Sequence, residues 1–162
     1  MTNKLPPKPD FMTQEAWDAL MATRSVESIR GNSRFQTEAI RAQGWADQDS
    51  TQGGPTCLLT TIGRKSGQPK TTPVNFMQEG DDIFIVGSIA GLDRHPLWVL
   101  NLEANEAVEI EMSDAKYQAK VRKVTGDERA ELWPRLTAFF PLWGHFQKYC
   151  DREFSVFRVS PK

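Results

Sequence analysis

Cysteine and histidine, which supply most transition-metal ligands in proteins, are scarce in this chain of 162 residues. Its two cysteines, Cys57 and Cys150, do not have the spacing of a metal-binding motif. Its two histidines, His95 and His145, are also far apart in the sequence. We therefore expect no dedicated metal site, and we expect both thiols to be free in a reducing cytoplasm.

Long apolar runs and an excess of charge of one sign are also absent. No run approaches the length needed to span a bilayer, and residues 1–10 lack the apolar core of a signal peptide. The net charge is −1, from 20 basic and 21 acidic residues, so the chain lacks the basic field of nucleic-acid-binding proteins. We expect a cytoplasmic protein with no integral membrane segment and no nucleic-acid partner, in which any anion site is local.

The motifs of several enzyme classes are missing as well. No serine lies in a Gly-x-Ser-x-Gly elbow, and no Gly-rich loop of the Walker or dinucleotide-binding type joins a strand to a helix. The side chains alone therefore offer little reactive machinery. An enzyme built on this chain would take its chemistry from a bound cofactor.

The chain divides into a helical lead-in at residues 1–55 and a β-rich remainder at residues 56–162, which we expect to form one compact domain. The lead-in begins with a Pro-rich tail, followed by predicted helices at about 13–24, with Thr13 as N-cap, and at 33–43. The residues expected to face inward from this part of the chain are Phe11, Trp17, Leu20, Phe35 and Ile40.

The β-rich part alternates short β-prone runs with turn segments, which predicts antiparallel strands joined by hairpins. Helices are predicted at 96–102 and 127–139, the second with a capping box at 125–128 and a kink or restart at Pro134. This pattern is typical of an α+β protein with a small, mostly antiparallel β-barrel. The predicted strands are 56–62, 70–77, 83–88, 107–112, 115–124 and 154–159.

The turn between the first two predicted strands concentrates cations. Gly63 and Gly67 bound it, Arg64 and Lys65 lie within it, and Lys70 opens the next strand. Glycines let backbone amides gather on one side of a turn, and cations beside such amides suit an anion. An ordinary solvated hairpin tip is the alternative that this spacing alone leaves open.

Two further segments would suit a flat ligand. Residues 87–96 leave a strand through small side chains that give room to a planar ring, although a tight connection would have the same composition. Phe140, Trp143 and Phe146 recur at i, i+3 and i+6 and so share a helix face that could cover such a ring. Core packing is the alternative for these aromatic residues.

Together these segments resemble the deazaflavin-dependent nitroreductase and quinone reductase family of actinobacteria, from about residue 56 to the C-terminus. The resemblance implies a split β-barrel of the FMN-binding type that binds coenzyme F420, an 8-hydroxy-5-deazaflavin whose side chain ends in a phosphate and glutamates. It also implies an oxidoreductase that passes hydride to a small electron-poor acceptor, namely a quinone, a conjugated enone or a nitroaromatic. The segments that carry the resemblance are 58–69, 93–102, 104–105, 132–134 and the late aromatic stretch ending at Arg152.

The resemblance further implies roles for particular residues. Ser88 is the expected catalytic residue, because its hydroxyl could donate to the acceptor or to the ring. The expected acceptor pocket consists of Phe140, Trp143 and Phe146. The residues expected to bind the cofactor are Arg64, Lys65, Ser66, Lys70, Thr71, Thr72, Pro73, Val74, Asn75, Val86, Gly87, Ser88, Ile89, Leu97, Trp98, Val99, Leu100 and Asn101.

Two features depart from the family pattern. Ile89 stands where relatives commonly have lysine, which removes a cation from the cofactor region. The three pocket aromatics replace tyrosines of the nitroimidazole-reducing relative, and the loss of those hydroxyl donors makes the pocket more apolar.

Three other functions stay open at this point: a barrel that uses FMN instead, a non-catalytic protein that binds a cofactor or another ligand, and an interaction module with all its aromatics in the core. The sequence also leaves open a homodimer, and a membrane-peripheral location if the acceptor is a lipid quinone.

Overall fold

The computed structural model describes residues 5–45 and 54–162. Within them, the strands are β1 (Thr56–Ile62), β2 (Pro69–Glu79), β3 (Asp82–Val86), β4 (Val108–Glu111), β5 (Lys116–Val124) and β6 (Val156–Pro161). The helices are α1 (Gln14–Ala22), α2 (Val26–Gln43), α3 (Leu97–Ala104), α4 (Gly126–Phe139) and α5 (Pro141–Lys148). None of these helices is both long and apolar enough to cross a bilayer.

The strands form a closed antiparallel barrel in the order β1-β2-β3-β6-β5-β4, and β4 pairs back onto β1. Short turns contribute to this order, because β2 and β3 pair directly through Glu79 and Asp82 around Gly80. In β4, Val108 and Ile110 are buried while the two glutamates between and after them are half-buried, as expected for a strand with one face in the core.

The core has two parts. One part takes side chains from all six barrel strands and from α3, and it includes Leu59, Ile110 and Val159, which are fully buried. The other part lies between β2, β3, β5 and β6 of the barrel and the helices α1, α4 and α5. Its larger members are Trp17, Phe84, Leu136, Phe140, Trp143, Phe146 and Phe154.

The predicted fold class is confirmed: a mostly antiparallel barrel is preceded by helices and carries further helices near its end. Every predicted strand is present, with ends that differ by at most two residues. Thr13 caps α1, since its hydroxyl accepts a hydrogen bond from the Ala16 amide at 3.1 Å.

Several local predictions are wrong. α2 begins at Val26 rather than at 33, because the Ser25 hydroxyl accepts from the Ser28 amide and caps an earlier start. Phe35 does not face inward, for it is 75% exposed. Phe11 is also exposed, at 55%, with its ring 6.4 Å from the ring of His145 in an edge-on arrangement.

The helix α4 also departs from the expectation. Thr125 occupies its N-cap position, but its side chain makes no capping hydrogen bond, so the predicted capping box is not formed. The helix continues through Pro134 and ends at Phe139, and α5 restarts at Pro141, where a missing amide donor costs nothing.

One close approach fixes α3 against the barrel. Gly87 follows β3, and its amide donates to the Ser155 carbonyl at 2.8 Å. A Cβ at this position would lie 2.6 Å from Cγ2 of Val99, which is fully buried on α3. Glycine is therefore needed here for the packing of α3 on the end of β3.

We expect Gly87→Ala to lower the free energy of unfolding by about 1–3 kcal/mol, because the added methyl group overpacks a rigid contact. Denaturant titration followed by circular dichroism measures this. Gly31→Ala is the matched control, since the added methyl group would meet nothing within 4 Å except the neighbouring backbone of α2 itself, and it should stabilise by up to about 1 kcal/mol. An unchanged midpoint in Gly87→Ala would mean that α3 moves freely away from the strand end.

Candidate active site

A cleft of about 1610 Å³ is bounded by α2, β2, α3, the turn at residues 63–68 and the segment at residues 88–96. Trp143 of α5 lines another part of its wall. The N-terminal helices and the barrel thus enclose one shared cavity, and it is large enough for a small-molecule ligand.

Cations dominate the charged residues of the cleft. Among the lining residues, Glu38 and Asp93 are the acids, against eight lysines and arginines. The cleft is therefore strongly positive although the whole chain carries a net charge of −1. The lining cations are Arg24, Arg30, Arg34, Arg41, Arg64, Lys65, Lys70 and Arg94.

The basic turn between β1 and β2 is closed by its own backbone. The Gly63 amide donates to the Gln68 carbonyl at 2.8 Å, and the Gly67 amide donates to the Gly63 carbonyl at 2.8 Å. Gly67 has φ +70°, a conformation that favours glycine. Arg64 and Lys65 are exposed, and neither belongs to an ion pair within residues 5–45 and 54–162.

A buried amide on α3 holds this turn in place. Oδ1 of Asn101 accepts from the Arg64 amide at 3.0 Å, and Nδ2 donates to the hydroxyl of Thr61 on β1 at 3.0 Å. Asn101 is only 6% exposed, so leaving these groups unpaired would be costly. The side chain expected to meet a cofactor thus has its polar atoms engaged with the turn and with β1.

Arg152 organises the segment after β3. Its guanidinium donates to the carbonyls of Gly87 at 2.9 Å, Ser88 at 2.7 Å and Leu92 at 3.0 Å. Burial lowers the pKa of Arg152 below the ordinary arginine value, partly offset by the nearby Cys150 and Asp93, yet arginine stays charged at neutral pH. These charge-assisted bonds fix the part of the backbone that carries Ser88 into the cleft.

His95 also lines the cleft. Burial, followed by the positive charge of Arg152, lowers the pKa of His95 below the ordinary imidazole value. Its Nδ1 atom is buried and has no hydrogen-bond partner within the described part of the chain. In the same residues, no group of three or more His, Cys, Asp or Glu side chains lies close enough to hold a metal ion.

Most residues expected to bind the cofactor do line the cleft, including the turn, residues 70–75 and Ser88. Gly87 and Val99 do not line it, since they form the packing contact between β3 and α3. The binding role of the others stays a prediction.

The three aromatics of the expected acceptor pocket lie together in one core cluster, and the ring centroids of Phe140 and Trp143 are 4.9 Å apart. Trp143 lines the cleft although it is only 3% exposed. Phe140 and Phe146 are buried in the core between α5 and its neighbours and are not part of the lining. All three side chains are buried, so the i, i+3, i+6 spacing places them on a core-facing side and not on an exposed face. Of the three, Trp143 is therefore the one in position to touch a ligand in this cleft.

The N-terminal helices contribute cations that the sequence analysis did not anticipate. Arg30, Arg34 and Arg41 line the cleft from α2, and Arg24 reaches it from the junction before that helix. The spacing i, i+4 and i+11 places the three α2 arginines along one helix face. This spacing is the feature of the sequence from which a basic helix face could have been predicted. What the spacing could not show is that this face borders the cleft.

Comparison with known proteins identifies the family. Residues 32–161 match the model of the family described as F420H(2)-dependent quinone reductase. Rv3178 of Mycobacterium tuberculosis strain H37Rv, a putative F420H(2)-dependent quinone reductase, is 28% identical over 108 residues, which are 67% of this chain and 91% of the relative. The F420H(2)-dependent quinone reductase Rv1261c of the same strain is 37% identical over 81 residues, 49% of this chain and 54% of that protein. The chain thus spans about half the length of Rv1261c.

Solved structures agree with the family match. An F420-H2 dependent reductase named FDR-A has a TM-score of 0.60 and 31% identity, with 65% of this chain and 94% of that chain covered. A chain described as a domain-swapped dimer has a TM-score of 0.62 and 32% identity, with 78% of this chain and 96% of that chain covered. The resemblance drawn from the sequence is confirmed, and this chain belongs to the F420H(2)-dependent quinone reductase family, an oxidoreductase family with coenzyme F420 as cofactor.

Proposed function

We propose that this protein transfers hydride from reduced coenzyme F420 to a flat, electron-poor small molecule. Quinones are the preferred acceptors in this proposal, and conjugated enones and nitroaromatics are the others. The observation that carries it is a single cleft in which a cluster of cations adjoins an apolar wall. Such a cleft suits one ligand with an anionic tail beside a second ligand that is flat and apolar.

The cationic side of the cleft fits the phosphate and glutamates of the coenzyme. Arg64, Lys65 and Lys70 would form charge-assisted contacts with this tail, and the exposed Ser66 could add a hydroxyl donor. When bound, the coenzyme supplies a ring that donates hydride. The alternative of a merely solvated hairpin tip does not account for the other cations that line the same cleft.

The apolar side of the cleft would hold the two rings against each other. Val86, Ile89, Leu97 and Trp143 contribute to this wall. Side chains of this kind exclude water and restrict the acceptor to a few orientations, and holding reactants at reacting distance provides most of the expected rate gain.

Ser88 is the proposed catalytic residue. It precedes the short turn at Ile89–Gly91, and its hydroxyl makes no capping bond to that turn, so the hydroxyl is available to a ligand. It would donate a hydrogen bond to the acceptor oxygen, which gains negative charge during reduction. Solvent can then supply the proton.

The wider setting follows from the same features. Two free thiols are consistent with a cytoplasmic protein, which would be membrane-peripheral if the acceptor is a lipid quinone. A homodimer is a proposal that a related chain described as a domain-swapped dimer supports. We also propose that the described part of the helical lead-in, residues 5–45, works with the barrel as one compact unit, because Trp17 stacks on Phe146 with ring centroids 6.2 Å apart.

Removing the turn cations should weaken coenzyme binding. For Arg64→Ala combined with Lys65→Ala, we expect binding to weaken by about 1–3 kcal/mol for each charge-assisted hydrogen bond removed, as measured by fluorescence titration with F420. The effect should shrink as salt rises, because salt screens exposed charges. Lys120→Ala on β5 removes an exposed cation outside the cleft and should bind like the wild type. Unchanged affinity of the double variant at low salt, or a preference for FMN, would contradict this assignment.

Removing the Ser88 hydroxyl should slow reduction without affecting coenzyme binding. For Ser88→Ala, we expect kcat/KM for a quinone to fall about 10- to 100-fold, since one donor to a developing oxyanion contributes up to a few kcal/mol. Steady-state kinetics with menadione measures this, and coenzyme titration provides the binding reference. Ser113→Ala, in the exposed turn between β4 and β5, should behave like the wild type. A fall in coenzyme affinity with unchanged turnover would make Ser88 a binding residue instead.

The acceptor preference should favour quinones and cyclic enones over bicyclic nitroimidazoles. An apolar wall leaves nitro oxygens unpaired, at a cost of about 1–3 kcal/mol. We therefore expect kcat/KM to be at least about tenfold higher for menadione-like quinones, since about 1.4 kcal/mol corresponds to that factor. Kinetics with reduced F420 and both acceptor classes tests this. Equal or reversed efficiencies would show that the cleft offers polar contacts to the nitro group.

A further inference from the structure

The segment that carries Ser88 into the cleft has an unfavourable backbone. Ile89 has φ 42° and Ala90 has φ 52°, two consecutive left-handed residues that are not glycine. This conformation is disfavoured for L-residues, and most strongly for a β-branched one such as isoleucine. Strained residues of this kind persist only where their surroundings over-determine them, and they occur preferentially at functional sites.

Two arginines hold this segment through its carbonyl groups. Arg152 donates to the carbonyls of Gly87, Ser88 and Leu92. Arg24 donates to two further carbonyls: its Nε atom lies 2.8 Å from the Ala90 oxygen and its Nη2 atom 3.1 Å from the Gly91 oxygen. No carboxylate forms an ion pair with Arg24 in the described residues, so these carbonyls are its acceptors.

The position of Arg24 is itself fixed. Its amide donates to the Met21 carbonyl at the end of α1, and the next residue, Ser25, caps α2. The core anchors α1 through Trp17, which stacks on Phe146. Burial lowers the pKa of Arg24, with a smaller opposing effect of Cys150, as expected for a guanidinium partly enclosed by protein.

The other side of the segment is also confined. A Cβ on Gly91, which has φ +69°, would lie only 3.0 Å from Cβ of Phe146 on α5. The strained segment is therefore held between the α5 core and the guanidinium of Arg24. Of these two restraints, the arginine is the one that can be removed without opening a cavity among the buried aromatics.

We propose that Arg24 is a positioning residue of the active site, which holds residues 88–91 in the geometry that presents Ser88 and the neighbouring backbone to the ligands. The ligands named in this proposal rest on the proposed function, whereas the restraint of residues 88–91 by Arg24 does not. Arg24 lies outside residues 32–161, the part that matches the family model. The N-terminal helices would thereby belong to the active site itself.

The structural part can be tested on the protein without coenzyme. Hydrogen exchange followed by mass spectrometry should show amides of residues 88–92 exchanging at least about tenfold faster in Arg24→Ala than in the wild type, a change that corresponds to about 1.4 kcal/mol in local opening. Exchange in β6 should not change. Arg135→Ala is the matched control, because it removes an exposed arginine whose partner is Glu79, away from the cleft.

The functional role of Arg24 is tested by coenzyme titration, by kinetics and by a second substitution that should restore activity. Arg24→Ala should weaken F420 binding or lower kcat/KM for menadione at least about tenfold, and Arg24→Lys should retain part of the function, since lysine can donate to one carbonyl. Adding Ala90→Gly to Arg24→Ala should recover part of the function, because glycine adopts the left-handed conformation without strain.

The outcomes separate the two proposals. Faster exchange across the whole barrel, with no rescue by Ala90→Gly, would make Arg24 a general stability residue and overturn the inference. Unchanged exchange at residues 88–92 would overturn it as well. If the wild type bound no F420 while exchange at 88–92 still responded to Arg24→Ala, the proposed function would fail and the structural role of Arg24 would stand.

Discussion

Closure of the barrel through β1 is the constraint on which the site depends. β1 pairs with β2 on one edge and with β4 on the other, so its backbone groups are satisfied on both sides. Pairing on both edges fixes the end of β1. There the Thr61 hydroxyl accepts a hydrogen bond from Asn101, and the basic turn follows. The place of the turn cations relative to α3 is thus set by strand pairing rather than by the turn itself.

The distribution of charge follows from this arrangement. The turn cations Arg64 and Lys65 have no ion-pair partner in the described part of the chain, whereas some cations outside the cleft are paired, as in Arg122 with Glu128. A balanced net charge therefore conceals a strong local field. Such a field attracts anionic ligands from a distance and weakens with ionic strength.

Many features that depend on neighbours in sequence could be predicted, and features that depend on distant contacts could not. The capping box at 125–128 and the start of α2 after Ser25 are local features that were predicted wrongly. The hairpins and the basic turn follow from local composition, and the predicted strands are present. Periodicity shows that aromatics share a face but not what covers that face, which is why Phe140 and Phe146 were expected in the pocket and lie in the core. The exposure of Phe35 and the role of Gly87 likewise depend on packing between elements far apart in the chain.

The hydrogen bonds from Arg24 to the Ala90 and Gly91 carbonyls connect the cleft to a residue that the family model does not match. The family model matches this chain from residue 32 onward, within α2, whereas a backbone segment of the cleft accepts hydrogen bonds from Arg24, which lies before that residue. A substitution before residue 32 can therefore alter the shape of the cleft while the matched region stays the same. On the proposed role of Arg24, a change in acceptor preference of this protein need not begin with the residues that touch the acceptor.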